Sequence, residues 1–319
     1  MGKVLVTGAY GFIGEAYCAH LAARKIPYVG AVRARRAGEA RPEIIAVGDF
    51  AAADWTGPLV AEDVECIVHL AARAHRMKDA APDPRGAYQR ENVDVTRDLL
   101  EAALAARVRR VVFASSVKVH GEATAPGVIL RESDPLAPRD DYARSKVEAE
   151  AWVRESGREH GIETVILRLP LVYGPGVKGN FAALVDAVRE RRVLPLGAIR
   201  NQRSLLGVTN LCTALDAACT HPLAAGETFL VADGEELSTP ELVRAISEAF
   251  GVRPRLWRWP PQLLRLSASL AVRGDAARRL LESFVIDSAR IRRTLGWTPP
   301  LTLADELQRL AQARSRPLS

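Results

Sequence analysis

The stretch Val4-Leu5-Val6-Thr7-Gly8-Ala9-Tyr10-Gly11-Phe12-Ile13-Gly14 narrows the choice of folds more than any other part of the chain. A short apolar run predicts a buried strand, the glycines after it a tight turn, and the residues beyond a helix. Gly8 permits the turn. Gly11 lets the backbone approach a pyrophosphate, which would then rest on amide groups at the helix N-terminus. Much later, Tyr142-Ala143-Arg144-Ser145-Lys146 sets a phenol and an ammonium four residues apart on one helix face. Either motif alone is weak, because a glycine turn also serves as a plain connection and the Tyr-Lys spacing recurs by chance. In this order, the pair implies a nicotinamide-dependent enzyme with tyrosine as its acid/base.

Up to about residue 170, short apolar runs alternate with helical stretches, the pattern of a parallel sheet covered on both faces. Strands are predicted at 3–7, 28–33, 44–47, 66–70, 110–115 and 164–168, and helices at 11–24, 92–106 and 141–160, the last capped by Asp141. After Pro170 the pattern loosens, with proline and glycine crowding 170–179 and 195–197 and helices expected at 210–221 and 239–251. The fold class is therefore α/β, a Rossmann-type doubly wound parallel sheet with a smaller α+β domain. The dinucleotide-binding domain is placed at 1–172 and a mainly substrate-binding domain at 173–319, with residues about 205–235 returning to the first sheet. Residues 263–281 form a basic amphipathic stretch, expected to pack on the chain's own core rather than on a membrane surface.

A chain of 319 residues, 48% hydrophobic, can bury a large core. No apolar run reaches the ~20 residues that span a bilayer, and no signal peptide is read, so the expectation is a cytoplasmic protein without stable membrane insertion. Cys18, Cys66, Cys212 and Cys219 show neither metal nor disulfide spacing and are expected to be buried thiols. No metal site is read. The formal charge is +6, yet six lysines leave 38 of the 44 basic residues as arginine. These arginines are spread over the chain rather than gathered in a basic run interleaved with aromatics. A basic groove for a diphosphate substrate is thus preferred to a nucleic-acid surface.

At the end of the second strand, NAD-preferring enzymes usually carry an acid for the adenosine ribose. Arg33 stands there, followed by Arg35 and Arg36, and a guanidinium cluster suits a 2′-phosphate. NADP(H) is therefore favoured, with NAD(H) the alternative. Asp49, beside Phe50, is placed to accept from the adenine amino group. Leu70, Ala71 and Ala72 follow His69 with the small side chains that a backbone passing close to a cofactor needs, and His69 itself is read as packed. Asn92 opens a helix, as a ligand or merely as its cap. Ser116 ends the fifth strand where ligands bind in this architecture and can hydrogen-bond a substrate oxygen. Tyr142 would exchange a proton with that oxygen, its phenol (ordinarily near a pKa of ~10) made more acidic by the Lys146 ammonium.

With 7–14, Asp49, 69–72, Asn92, 115–121, Tyr142, Lys146 and 168–176 in this order, the chain resembles the extended short-chain dehydrogenases/reductases over nearly its whole length. It looks most like their nucleotide-sugar branch, the UDP-glucose 4-epimerase relatives. The resemblance implies Ser116, Tyr142 and Lys146 as the catalytic triad. It places Gly8, Gly11 and Gly14, with Phe12 and Ile13, on the pyrophosphate, and Arg33, Arg36, Asp49, Phe50, Leu70, Ala71, Ala72, Asn92, Tyr142 and Lys146 elsewhere along the cofactor. It implies Ser116, Lys118, Asn180, Arg203 and Arg279 (or its neighbour Arg278) toward a nucleotide-diphosphate sugar, with UDP as the nucleotide. Val117-Lys118 stands where 4,6-dehydratases carry Asp-Glu, which argues against dehydration. Arg33 in place of an acid tips the balance slightly to a 4-keto-sugar reductase of the kind that serves polysaccharide synthesis, with the 4-epimerase as the alternative; a non-catalytic cofactor-binding regulator is remote. The resemblance also implies a homodimer through 92–106 and 141–160. Apolar positions Leu99, Leu100, Ala103 and Leu104, and Ala143, Val147, Ala151 and Trp152, are available for it.

Overall fold

The computed structural model describes residues 2–74, 82–260, 262, 264 and 280–315. Its centre is a seven-stranded sheet built from β1 (Lys3–Thr7), β2 (Tyr28–Val32), β3 (Ile44–Ala46), β4 (Val64–His69), β5 (Arg110–Ser116), β6 (Glu163–Leu169) and, much later in the chain, β9 (Thr228–Leu230). The order is β3-β2-β1-β4-β5-β6-β9, every pairing parallel. Between β1 and β4 the chain order reverses, which opens a crevice at the carboxyl ends of the strands. Thr7 pairs with His69, and His69 with Phe113, so these residues share one row beneath the crevice.

Alternation along the strands sorts side chains between the two faces. Val4, Val6, Cys66, Val68, Val112 and Val165 point to one face, which is covered by α1 (Phe12–Ala23), α7 (Val208–Thr220) and α9 (Ala289–Leu295). Leu5, Ile67, Val111, Phe113 and Ile166 point to the other, covered by α2 (Thr56–Ala61), α4 (Val95–Ala105) and α5 (Asp141–His160). All four cysteines are free, buried and in the first of these cores.

A second, three-stranded sheet runs β10 (Glu236–Leu237), β8 (Arg203–Gly207) and β7 (Leu171–Tyr173). Its core is shared by α6 (Gly179–Arg189), α8 (Thr239–Ala249) and α10 (Leu303–Ser315). From the predicted amphipathic stretch 263–281, Leu264, Leu280 and Leu281 join this core; the rest lies outside the described residues, as do Arg278 and Arg279. Among the described residues, no helix is long and apolar enough to cross a membrane.

Three sequence expectations are corrected. Asp140, not Asp141, caps α5, its carboxylate accepting from Ala143 N–H at 2.7 Å, while Asp141 pairs with Arg144. Asn92 is not a cap: α3 (Pro84–Tyr88), a wider π-helical turn at Gln89–Asp94 and α4 run on continuously, with Asn92 inside the π turn. Leu99, Leu100, Ala103 and Ala143 are buried within the subunit and offer nothing to a partner, whereas Ala151 and Trp152 are exposed.

Candidate active site

The turn after β1 is shaped for an anion. Gly8 has φ +70°, a left-handed conformation natural to glycine, and a Cβ at Gly14 would meet the Gly8 carbonyl oxygen at 2.2 Å. Helix and turn therefore approach as only glycine allows. Gly11 occupies the N-cap of α1 and is exposed, with no side chain capping the helix. The first-turn N–H groups, Phe12 and Ile13 among them, are thus left for a phosphate, and the positive end of the helix dipole adds to the attraction. These observations fit a dinucleotide pyrophosphate.

Under this turn runs a chain of hydrogen bonds that was not foreseen from sequence. The Thr7 hydroxyl accepts from the N–H groups of Leu70 and Ala71, each at 3.1 Å, and lies 2.7 Å from His69 Nδ1. His69 Nε2 lies 3.1 Å from the Thr96 hydroxyl, which donates to the Asn92 carbonyl at 2.6 Å. One proton arrangement satisfies every link, with Thr7 donating to Nδ1 and Nε2 donating to Thr96. Burial, with the nearby Lys146 ammonium, pushes the His69 pKa down to about 3, so the ring stays neutral. The Asn92 amide then ties two elements together: its oxygen accepts from Arg73 N–H at 2.7 Å, and its nitrogen donates to Ser145 Oγ at 2.8 Å. The π turn carries Asn92 to the start of α5.

Ser116, Tyr142 and Lys146 meet at the carboxyl end of β5. The Tyr142 hydroxyl is hydrogen-bonded to the Ser116 side chain, and Ser116 Oγ also accepts from Lys118 N–H at 3.2 Å. Lys146 is buried on the same face of α5, one turn beyond Tyr142. Its ammonium donates to the Ala114 carbonyl at 2.8 Å and sits 4.5 Å from the centre of the Phe113 ring. Burial pulls the Lys146 pKa down to about 8, and the Glu150 carboxylate opposes that pull. Burial pushes the Tyr142 phenol up to about 12, against the Ser116 hydrogen bond, while Asp140 and Tyr88 add to the rise. The phenol is thus protonated at rest, one helical turn before an ammonium that keeps its charge at neutral pH.

A buried ion pair anchors this triad. Arg168 on β6 reaches Glu150 on α5 through Nε and Nη2 at 3.0 and 2.7 Å, and Ser115 Oγ donates to the same carboxylate at 2.6 Å. Burial disfavours the carboxylate, but its bonds from Arg168 and Ser115 outweigh that and lower its pKa. Arg168 Nη1 lies 2.8 Å from His120 Nε2, whose other ring nitrogen faces the Pro135 carbonyl. The spacing Tyr142, Lys146, Glu150 repeats every four residues, a sequence signal that could have revealed Glu150.

At the far end of the crevice the arginines are already engaged. Arg33 Nη2 is 2.6 Å from Glu91, which also holds Arg73 at 2.6 Å. Burial disfavours the Glu91 carboxylate, yet the two arginines together lower its pKa. Arg36 lies 4.0 Å from the centre of the Tyr10 ring and pairs with Glu15, and Arg35 donates to the carbonyls of Glu39 and Arg41. Asp49 is exposed and accepts from Ala51 N–H, while Phe50 is buried against Trp55. Ala71 is buried beneath Gly8, whose Cβ position lies 3.0 Å from it.

The residues assigned to the substrate separate. Asn180 and Arg203 line one cavity of about 190 Å³, together with Lys178, Phe181, Leu205 and Thr239. Lys118 does not join them: its ammonium turns to Asp140, the cap of α5, and to Glu122. Arg279 lies outside the described residues.

The model of the NAD dependent epimerase/dehydratase family matches residues 4–232. The chain belongs to the NAD-dependent epimerase/dehydratase family. This epimerase/dehydratase relative is 36% identical to a UDP-glucose 4-epimerase of Vibrio cholerae, over 98% of this chain and 95% of that protein. It is 26% identical to a GDP-6-deoxy-D-mannose reductase of Pseudomonas aeruginosa, over 96% and 95%. The solved UDP-glucose 4-epimerase of Thermus thermophilus, in complex with NAD, aligns with a TM-score of 0.76 at 25% identity, over 98% and 99%. The nucleotide-sugar epimerases, dehydratases and reductases of this family are thus the enzymes among which this chain belongs.

Proposed function

We propose that the protein is an NAD(P)-dependent oxidoreductase acting at C4 of a UDP-hexose or UDP-N-acetylhexosamine, and that its reaction is 4-epimerisation. The observation that carries the chemistry is the Tyr142–Ser116 hydrogen bond, with the buried Lys146 ammonium one helical turn further along α5. As the phenolate, Tyr142 would take the proton of the C4 hydroxyl while hydride leaves C4; after the 4-keto sugar has turned, hydride would return to the opposite face of C4 and Tyr142 would return the proton to the O4 oxygen. Ser116 holds that oxygen throughout, and Lys146 favours the phenolate. A bound nicotinamide supplies the hydride acceptor. Gly8, Gly11, Phe12, Ile13 and Gly14 would hold its pyrophosphate; Leu70, Ala71, Ala72 and Asn92 would line its path; and Arg33, Arg36, Asp49 and Phe50 would border its adenosine. Asn180 and Arg203 would face the substrate diphosphate.

Two observations favour epimerase. The Vibrio cholerae relative at 36% identity is a UDP-glucose 4-epimerase. Arg33, the residue that argued for NADPH and hence for a reductase, already has a carboxylate partner in Glu91, which weakens its claim on a 2′-phosphate. The reductase reading keeps one support, the absence of an acid at the end of β2. Freshly purified protein separates the two. Tightly retained NAD and interconversion of UDP-glucose with UDP-galactose, or of their N-acetylated forms, without added cofactor supports epimerase. Turnover only of a 4-keto sugar with added NADPH overturns it. We also propose a homodimer through α4 and α5, supported by the exposed Trp152 and Ala151 beside half-buried Val147 and Leu104.

A further inference from the structure

Of the five tryptophans, Trp55 and Trp297 are buried, but Trp257 and Trp259 expose 60% and 43% of their surface. Trp257 and Trp259 lie in Arg253-Pro254-Arg255-Leu256-Trp257-Arg258-Trp259-Pro260, a basic run interleaved with aromatics that the reading of scattered arginines overlooked. The segment is extended and pairs with the chain after α6: Leu194 N–H donates to the Arg255 carbonyl at 2.8 Å, Trp257 N–H to the Leu194 carbonyl at 2.9 Å, and Gly197 N–H to the Trp257 carbonyl at 2.8 Å. Leu256 and Leu194 turn inward to the small core, so alternation sends Arg255, Trp257 and Trp259 outward.

Beside the tryptophans, Arg191, Arg192 and Val193 are exposed, as are Arg253, Arg255 and Arg258. Arg192 pairs with Glu190; the other four arginines form no ion pair among the described residues. An edge of guanidinium groups, four of them without an ion pair among the described residues, with indole rings, an exposed valine and two prolines, calls for a partner both anionic and able to take an apolar ring at its boundary.

We propose that this edge is a docking surface for an anionic lipid membrane. Indoles settle at the level of lipid headgroups, and arginines add attraction to anionic lipid. Trp257 and Trp259 alternate with arginine along one edge, and the exposed Val193 beside them adds an apolar side chain of the kind that the boundary between headgroups and acyl chains accepts. α6 connects this edge to the cavity at Asn180. At 1.5 Å per residue, its 11 residues set the two roughly 16 Å apart. The surface is therefore separate from the cofactor crevice and can be altered without touching it.

The test is flotation of the intact chain with vesicles of phosphatidylcholine alone or mixed with phosphatidylglycerol. Wild type is expected to float with the mixed vesicles, to release at high salt and to stay behind with phosphatidylcholine. At about fivefold per arginine near an anionic surface, Arg253→Gln, Arg255→Gln and Arg258→Gln together should weaken binding on the order of a hundredfold. Trp257→Ser with Trp259→Ser should also lose binding. Unchanged melting and NAD(H) titration verify that both variants are folded. Failure of wild type to float, equal binding to both vesicles, or variants that bind like wild type would overturn the proposal. So would binding of a single-stranded oligonucleotide, at the same salt, more tightly than the mixed vesicles.

Discussion

At the scale of single residues, the site sets two groups against their surroundings. Tyr142 is pushed up to about 12 and Lys146 down to about 8, both chiefly by burial. Tyr142→Phe removes the transferable proton at almost no change in volume. It is expected to lower kcat by ~10²–10⁴-fold while NAD(H) titration stays near wild type; activity within threefold would sink the role given to Tyr142. Lys146→Met removes the charge that favours phenolate, so the rising limb of the pH–rate profile should move to higher pH. Stability gives an independent reading. The folded Lys146 sheds its proton near pH 8, whereas the unfolded side chain keeps it to about 10.5. Between those values the unfolded chain binds more protons, so the native state gains stability as pH rises through this window. The methionine variant lacks that gain. Its melting temperature relative to wild type should therefore be highest near neutral pH and fall toward about pH 10. The Tyr142/Lys146 pairing on one helix face was legible because its spacing is helical and local, whereas Ser116 was placed from the end of β5 and the family resemblance. The links from Thr7 through His69 and Thr96 to Asn92 were not legible, because they join residues from four elements and the β1–β4 register brings Thr7 to His69 only in the folded chain.

At the scale of elements, α5 is held at its N-terminus and in its middle, and its hold is what positions the phenol. Its N-terminus is capped by Asp140, which Lys118 also grips. Its middle is tied to β6 by the Glu150–Arg168 pair, with both side chains almost wholly buried. Glu150→Gln leaves the Arg168 guanidinium without its counter-charge. Removing one partner of a buried pair costs about 3–5 kcal/mol, so the variant should melt many degrees lower. A change in melting temperature no larger than that of an exposed substitution would show that the pair does not hold the helix. β1, α1, β5 and α5 were readable to within one or two residues, since continuous apolar runs mark the two strands, the glycine turn opens α1 and a helical apolar spacing marks α5. Of the strands of three residues, β3 was read at 44–47, but β7 and β9 were not, nor was the two-residue β10, because so few residues show no alternation and their pairing partners are distant in sequence. The cap was misread by one position because Asp140 and Asp141 adjoin, and only the backbone decides which is the last non-helical residue.

At the scale of the whole molecule, the proposed dimer makes a prediction that the subunit can pass or fail. Trp152→Glu changes a side chain that is 37% exposed on α5, so it should leave melting nearly unchanged while shifting sedimentation toward monomer. A wild-type protein that sediments as a monomer at micromolar concentration rules the interface out. Leu100 cannot serve for this test, since at 2% exposure a charge there would damage the subunit itself. The doubly wound sheet was legible from the alternation of strand and helix, but the path by which the chain finishes that sheet was only outlined. After β6 the chain leaves for β7 and α6, comes back with α7 and β9, and leaves again with β10 and α8. A fragment that stops at Tyr173 would lack the neighbour of β6 and the helix bearing Leu211, Leu215 and Ala218. Its bare strand edge and uncovered face would be a template for other chains, and aggregation is its natural fate. No single cut divides this molecule into two working halves: the crevice and the cavity beside it must be made together, by one chain threaded back and forth between them.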